Sequence, residues 1–178
     1  MEPQTPFELL RSIEARSREK ARGIPQQVEV RRPWSGMGFR VGDNLLVSSL
    51  KDVNEIMPYP HLTHVPHAKS WVKGVANVRG VLITVLDLRD FIEGIQTELN
   101  RHSRVLLIRQ SEMNVGLLVD QALGLRHFFD EEQVSTLPAI SEGLSDFVLG
   151  GYKQSDRHWA VFSMRRLLQD ARFLEVAA

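Results

Sequence analysis

Apolar residues recur along this chain at two periods, one helical and one of short alternating runs. Phe7, Leu10 and Ile13 lie at helical spacing. Thr5 stands as an N-cap with Glu8 three residues on, and Pro6 takes the favoured first helical position, so a helix is predicted from there. Gly23 is its expected stop. Beyond Ile13 the pattern turns polar, with ARSREKAR running to Arg22, so only the first half carries an apolar face. This segment reads as a solvated arm, or as a docking helix for a partner or for the protein's own body. Residues 23–34, with Pro25 and Pro33, read as a linker.

From Ser35 the rhythm becomes that of strands. Phe39-Arg40-Val41 and Leu45-Leu46-Val47 flank Gly42-Asp43-Asn44, a tight-hairpin signal. A strand or turn through Val53 and Ile56 meets Pro58 and Pro60. Val81–Leu86 and Val105–Ile108 are apolar strands, and Val115–Val119 pairs with the latter across Ser111-Glu112-Met113-Asn114. Phe147–Leu149 and Trp159–Phe162 complete the set, while Asp130-Glu131-Glu132 opens a helical turn where early negative charge is favourable. A final helix over 163–174 is capped by Ser163 and buries Met164, Leu167, Leu168, Ala171 and Leu174 on one face. Many short, closely spaced strands predict a mainly β chain of small barrels or a sandwich.

Self-comparison adds a repeat. Gly74–Ile92 lies over Gly150–Leu168 without a gap, so that Val85 falls on Val161, 76 residues on. Phe39 matches Ile108, Leu50 matches Val119 and Ile56 matches Leu125 at an offset of 69; a loop insertion of seven residues reconciles the two. The expectation is an extension and linker over 1–34, then one domain over 35–178. Within it, lobe one spans about 35–100, lobe two about 101–160, and the C-terminal helix follows. Two packed lobes would leave a groove along their seam, suited to binding a helix.

Composition narrows the function. The 178 residues are 43% hydrophobic and 25% charged, as in an ordinary folded domain, and 22 Lys+Arg balance 22 Asp+Glu. A nucleic-acid binder would need excess positive charge, and 3 Trp, 2 Tyr and 8 Phe, mostly at core-like positions, make no stacking platform. Without cysteine there are no disulfides, zinc ribbons or thiol nucleophiles. No apolar run reaches the ~20 residues that span a bilayer, and the start carries no signal peptide, so the expected location is cytoplasmic.

The segment Trp71 to Leu88, WVKGVANVRGVLITVLDL, together with Val53-Asn54-Glu55-Ile56 upstream and Val115-Gly116-Leu117-Leu118-Val119-Asp120 downstream, resembles the ordered motifs of CheW-like domains over roughly 37–170. The opening QTPFELLRSIEARSREKARGIP with WSGMGFRVG is similar to the CheW-type proteins of chemosensory systems that control type IV pili and twitching motility. The resemblance implies two SH3-like five-stranded β-barrels packed as one domain, with N-terminal and C-terminal helices. It implies a non-enzymatic scaffold joining the signalling tip of a methyl-accepting chemoreceptor to the regulatory domain of a CheA-type histidine kinase. Membrane contact would be indirect, through the receptor arrays. A flagellar coupling protein is the alternative, and a small-ligand or oligonucleotide-binding barrel a more distant one.

The implied protein-binding residues are Val53, Glu55, Ile56, Asn77, Arg79, Gly80 and Val119. Gly80 lets the backbone turn sharply where a side chain would obstruct it, and Asn77 can hydrogen-bond its own turn. Arg79 offers a charged fork for the Glu55 carboxylate that the family pattern brings near it. That pair braces a loop, shapes a receptor-facing surface, or does both. Val53 and Ile56 are core or contact, and Val119 reads more as core.

Catalytic chemistry finds no constellation. His61, His64 and His67 suggest zinc by spacing, but Pro58, Pro60 and Pro66 prevent the helix that would align them, so no metal and no cofactor are expected. The Gly36-Met37-Gly38-Phe39-Arg40-Val41 stretch has Val41 where a dinucleotide loop needs glycine. Neither a GxxxxGK[ST] loop nor a GxSxG elbow is present. The reading is a protein-binding adaptor and no enzyme.

Overall fold

The computed structural model describes residues 6–20, 33–110, 113–136 and 140–175. The chain divides into two units, residues 1–32 and 33–178. In the first, α1 (Pro6–Lys20) begins at the predicted proline and exposes Phe7, Leu9, Leu10 and Ile13. Its expected cap at Thr5, its stop at Gly23 and the linker to 32 lie outside the described residues.

In the second unit, β1 (Trp34–Val41) and β2 (Asn44–Ser49) form the predicted hairpin across Gly42 and Asp43, with Asn44 already in strand. β3 (Glu55–Pro58), β4 (Val72–Val78), β5 (Val81–Asp87) and α2 (Leu88–Glu93) follow. Next come β6 (Arg104–Gln110), β7 (Met113–Val119) and β8 (Gln121–Phe128), and a 3-10 turn at Asp130–Glu132. Residues 111 and 112 of the predicted turn are not described, while Met113 and Asn114 belong to the strand. β9 (Gln133–Val134), α3 (Glu142–Ser145), β10 (Val148–Gln154), β11 (Arg157–Phe162), α4 (Met164–Gln169) and α5 (Ala171–Leu174) complete the described chain.

The described strands form two sheets, ordered β8-β1-β2-β11-β10-β9 and β3-β6-β7-β5-β4. The contiguous lobes expected over 35–100 and 101–160 therefore require correction. Hairpin β1–β2 sits in the sheet of the second half, and hairpin β6–β7 in the sheet of the first. The repeat itself survives the exchange in register. Val85 pairs with Gly116 in parallel, and 76 and 69 residues away Val161 pairs with Val47, also in parallel. Likewise Ile56 lies opposite Leu106, as Leu125 lies opposite Met37. β4 and β10 carry the same bulge, between Val72 and Gly74 and between Val148 and Gly150. Thr63 bridges Val75 through both backbone hydrogen bonds, carrying the chain that leaves β3 back onto β4 and closing that barrel.

The exchange explains why the central strands are apolar throughout. In β6, Val105 and Leu107 fill the five-stranded barrel while Leu106 and Ile108 face the main core between the sheets. A strand buried on both faces loses the alternation that marks a half-exposed one. Main-core residues include Phe39, Leu46, Leu86, Leu117, Val119 and Phe162, all under 3% exposed.

Paired caps also repeat. Asp87 accepts from Asp90 N to start α2, and Ser163, 76 residues on, accepts from Arg166 N to start α4. The single C-terminal helix predicted over 163–174 is broken at Asp170, whose ψ of 125° is extended. The break turns the register: Met164, Leu167 and Leu168 are buried as predicted, but Ala171 and Leu174 are exposed and Phe173 is buried instead. Phe173 stacks on Trp71 with ring centroids 5.7 Å apart.

Candidate functional site

Strands β4 and β5 are joined by two residues, Arg79 and Gly80, between the paired Val78 and Val81. Both have positive φ, 52° and 84°, the geometry of a type I′ turn, whose twist matches that of the strands it joins. Asn77 Oδ1 accepts from Gly80 N at 2.8 Å and holds the turn closed. A Cβ added at Gly80 would meet nothing within 4 Å, so the expected steric obstruction is absent. Glycine suits this position through its φ alone.

Arg79 has no such freedom. A side chain in the left-handed region costs about 1–2 kcal/mol. Its Nη2 donates to Glu55 Oε1 at 2.7 Å, an ion pair between the two edge strands of the five-stranded sheet. The Arg79 side chain is 75% exposed and that of Glu55 27%. So exposed a pair contributes at most about 1 kcal/mol before screening by salt, no more than the backbone conformation costs. Stability does not account for an arginine here. The remaining guanidinium donors face solvent, where they can meet another molecule.

Of the other predicted residues, Asn77 is exposed beside the turn, and Val53 and Ile56 are half-buried against the main core. Both lean on the core, while Glu55 lies on the opposite face of β3 from Ile56. Val119 is fully buried, and its reading as a binding residue requires correction. A side chain sealed between the two sheets has no surface to offer. The structure therefore brings Glu55, Asn77, Arg79 and Gly80 together at one corner, with Val53 and Ile56 behind it.

Sequence reasoning missed two neighbours. Asn54 anchors the Val-Asn-Glu-Ile segment to β6, donating its backbone N to Leu107 O at 2.9 Å and accepting from Arg109 N through Oδ1 at 2.6 Å. Leu82, opposite Asn77 in register, is 66% exposed. The run Val81–Leu86 hides it, because every residue but Thr84 is apolar and only the period of two separates outward Leu82 and Thr84 from inward Ile83 and Val85.

Beside Leu82 the outer face of β4, β5 and β7 is concave. One depression of about 260 Å³ lies among Val65, Val72, Val75 and Thr84. Another of about 250 Å³ lies among Thr84, Met113, Val115 and Leu174, and the two meet at Thr84. The acidic motif residues, by contrast, are internal stitches. Asp87 accepts from Thr97 N at 2.9 Å and Thr97 Oγ1 at 2.7 Å, and Asp120 Oδ2 accepts from Gly42 N at 2.7 Å. Among the described residues no three His, Cys, Asp or Glu side chains gather as metal ligands; His61, His64 and His67 are exposed along a loop. Nor is any described helix long and apolar enough to cross a membrane.

Comparison with known proteins agrees with this architecture. The model of the CheW-like domain family matches residues 35–172. Protein PilI of Pseudomonas aeruginosa is 39% identical over 174 residues, 98% of this chain and 97% of that protein. Protein FrzA of Myxococcus xanthus is 28% identical over 141 residues, 78% and 88% of the two chains. Chemotaxis protein CheW of Thermotoga maritima is 27% identical over 89 residues, half of this chain and 58% of its own. Among solved structures, scaffolding protein TtCheW from Thermoanaerobacter tengcongensis superposes with a TM-score of 0.64 at 22% identity, covering 74% of this chain and 90% of its own. At that identity the likeness speaks for the fold.

Proposed function

The chain belongs to the CheW-like domain family, and from that premise we propose that it is a non-catalytic scaffold coupling a methyl-accepting chemoreceptor to a CheA-type histidine kinase. The observation that carries this reading is the concave apolar face of β4, β5 and β7, on the same hairpin whose turn carries the exposed Arg79–Glu55 pair. A groove of this kind takes the apolar side of a helix, with anchors three to four residues apart. The exposed guanidinium at the turn of that hairpin supplies a polar contact that fixes orientation more than affinity. A helical receptor tip presents the complementary shape. The kinase regulatory domain would engage a separate surface, so that both are held at once.

The pathway we propose is the one that controls type IV pili. Its support is the near-complete coverage of the PilI-like relative, which includes the N-terminal region that precedes the family domain at residue 35. The protein would act in the cytoplasm, at the membrane only through its receptor.

Co-sedimentation of the purified full chain with a receptor signalling domain and the kinase tests the coupling. The expected result is a ternary pellet that needs this chain for kinase recruitment. Failure to associate with either partner would overturn the proposal.

A further inference from the structure

The six-stranded sheet carries a third cavity, of about 300 Å³, distinct from the Arg79 corner. Its lining includes Trp34 at the start of β1, Asp52 just past the end of β2 and the Leu149–Tyr152 stretch of β10, with the end of β11 and Gln133 of β9 beside them. Trp34 and Tyr152 stack with centroids 5.5 Å apart and planes 15° from parallel, and both are half-buried. Gly150 and Gly151 leave the floor open: a Cβ added at Gly150 would meet nothing within 4 Å. Leu149 stands at the rim, 59% exposed.

Asp52 is the charged residue of the lining. Its backbone N donates to Ser49 O at 3.0 Å, but its half-buried carboxylate has no hydrogen-bond or ion-pair partner among the described residues. Aromatic faces carry negative potential, and beside an unmatched carboxylate they favour a cation. One carboxylate with aromatic walls is a poor metal site, since hard cations need several oxygen ligands. A planar guanidinium satisfies both features at once, stacking on a ring while its fork meets the carboxylate. The same barrel already contains one such contact, Arg126 lying 5.0 Å from the Trp159 ring centroid.

We propose that this cavity receives an arginine side chain presented by a partner protein, giving the scaffold a second docking point on the six-stranded sheet. The volume suits one long side chain. Recognition rests on charge complementarity with Asp52 and on stacking against Trp34, which Tyr152 backs while itself stacked on Phe128 with centroids 4.6 Å apart.

The test uses the full chain and three capped tripeptides, with arginine, lysine or the neutral isostere citrulline between alanines. Each is titrated to millimolar concentrations while amide and indole NMR signals are followed. The arginine peptide is expected to shift the Trp34 indole and the Gly150 and Gly151 amides saturably, with lysine weaker and citrulline silent. Asp52→Asn, which removes no internal hydrogen bond and leaves both rings in place, should weaken arginine binding about fivefold, the upper worth of an exposed ion pair. Arg79→Ala should leave the titration unchanged, so this inference and the receptor-coupling proposal fail independently. Equal shifts from citrulline, an unaltered affinity in Asp52→Asn, or no shift at all would overturn it. So would concentration-dependent shifts of the same signals without peptide, which would give the cavity to a second copy of this chain.

Discussion

Replacing Arg79 with glycine separates stability from binding at the proposed receptor surface. Arg79 sits at φ 52°, so glycine relieves about 1–2 kcal/mol of left-handed strain. Against that, a glycine gives the unfolded chain more freedom, worth about 0.4–1 kcal/mol. The lost ion pair to Glu55 is 75% exposed on the arginine side, and solvent screening leaves it a few tenths of a kcal/mol at most. These terms nearly cancel. The folded state of Arg79→Gly should lie within about 1 kcal/mol of the parent, a Tm change under about 4 °C for a domain of this size. Arg79→Ala keeps the strain and loses the pair, so it should be slightly less stable than Arg79→Gly. Both variants should lose the receptor-dependent part of co-sedimentation. Thermal melts beside the sedimentation assay decide the matter. A drop in Tm above about 8 °C in Arg79→Gly would mean that the arginine is structural. Full retention of coupling in a folded variant would equally refute the reasoning.

Three further substitutions probe the frame behind the site. Gly74 has φ 140°, and a Cβ there would stand 2.5 Å from the Thr63 carbonyl oxygen, so Gly74→Ala must open the bridge that closes the barrel; a loss of about 2 kcal/mol or more in denaturant titration is expected, and a loss below 0.5 would contradict it. Asp87→Ala removes the cap of α2 and strands the buried Thr97 amide and hydroxyl, which should cost about 3 kcal/mol by the same measurement. The Asp170 carboxyl is held below its ordinary range chiefly by the side-chain hydrogen bonds of Arg172. A depressed carboxylate stabilises the fold above its unfolded pKa near 3.8 and loses that contribution as pH falls through the folded value. Asp170→Asn should therefore be less stable at neutral pH and show a shallower stability loss below about pH 4; parallel pH profiles for both proteins would exclude this role.

Much of this protein was written in local patterns. The hairpin at Gly42, the strands at Val81 and Val105, the start of α1 at Pro6 and the Ser163 cap all follow from turn chemistry, periodicity and capping, which act between neighbours in the chain. The Glu55–Arg79 pair came instead from a family pattern, because nothing local joins residues 24 apart.

What the sequence alone determined was the repeat, two halves with matching strand patterns at offsets of 76 and 69, to which the structure added the shared bulges and caps. Tertiary structure alone decided that the halves exchange their hairpins. Either hairpin could satisfy the same parallel edge, since β2 and β7 are equivalent in pattern, and loop closure and burial between the sheets choose between them. The same burial removed Val119 from any surface and exposed Leu82 on one. A fully apolar run records that a strand is enclosed, but which neighbours enclose each face is settled only when distant strands meet.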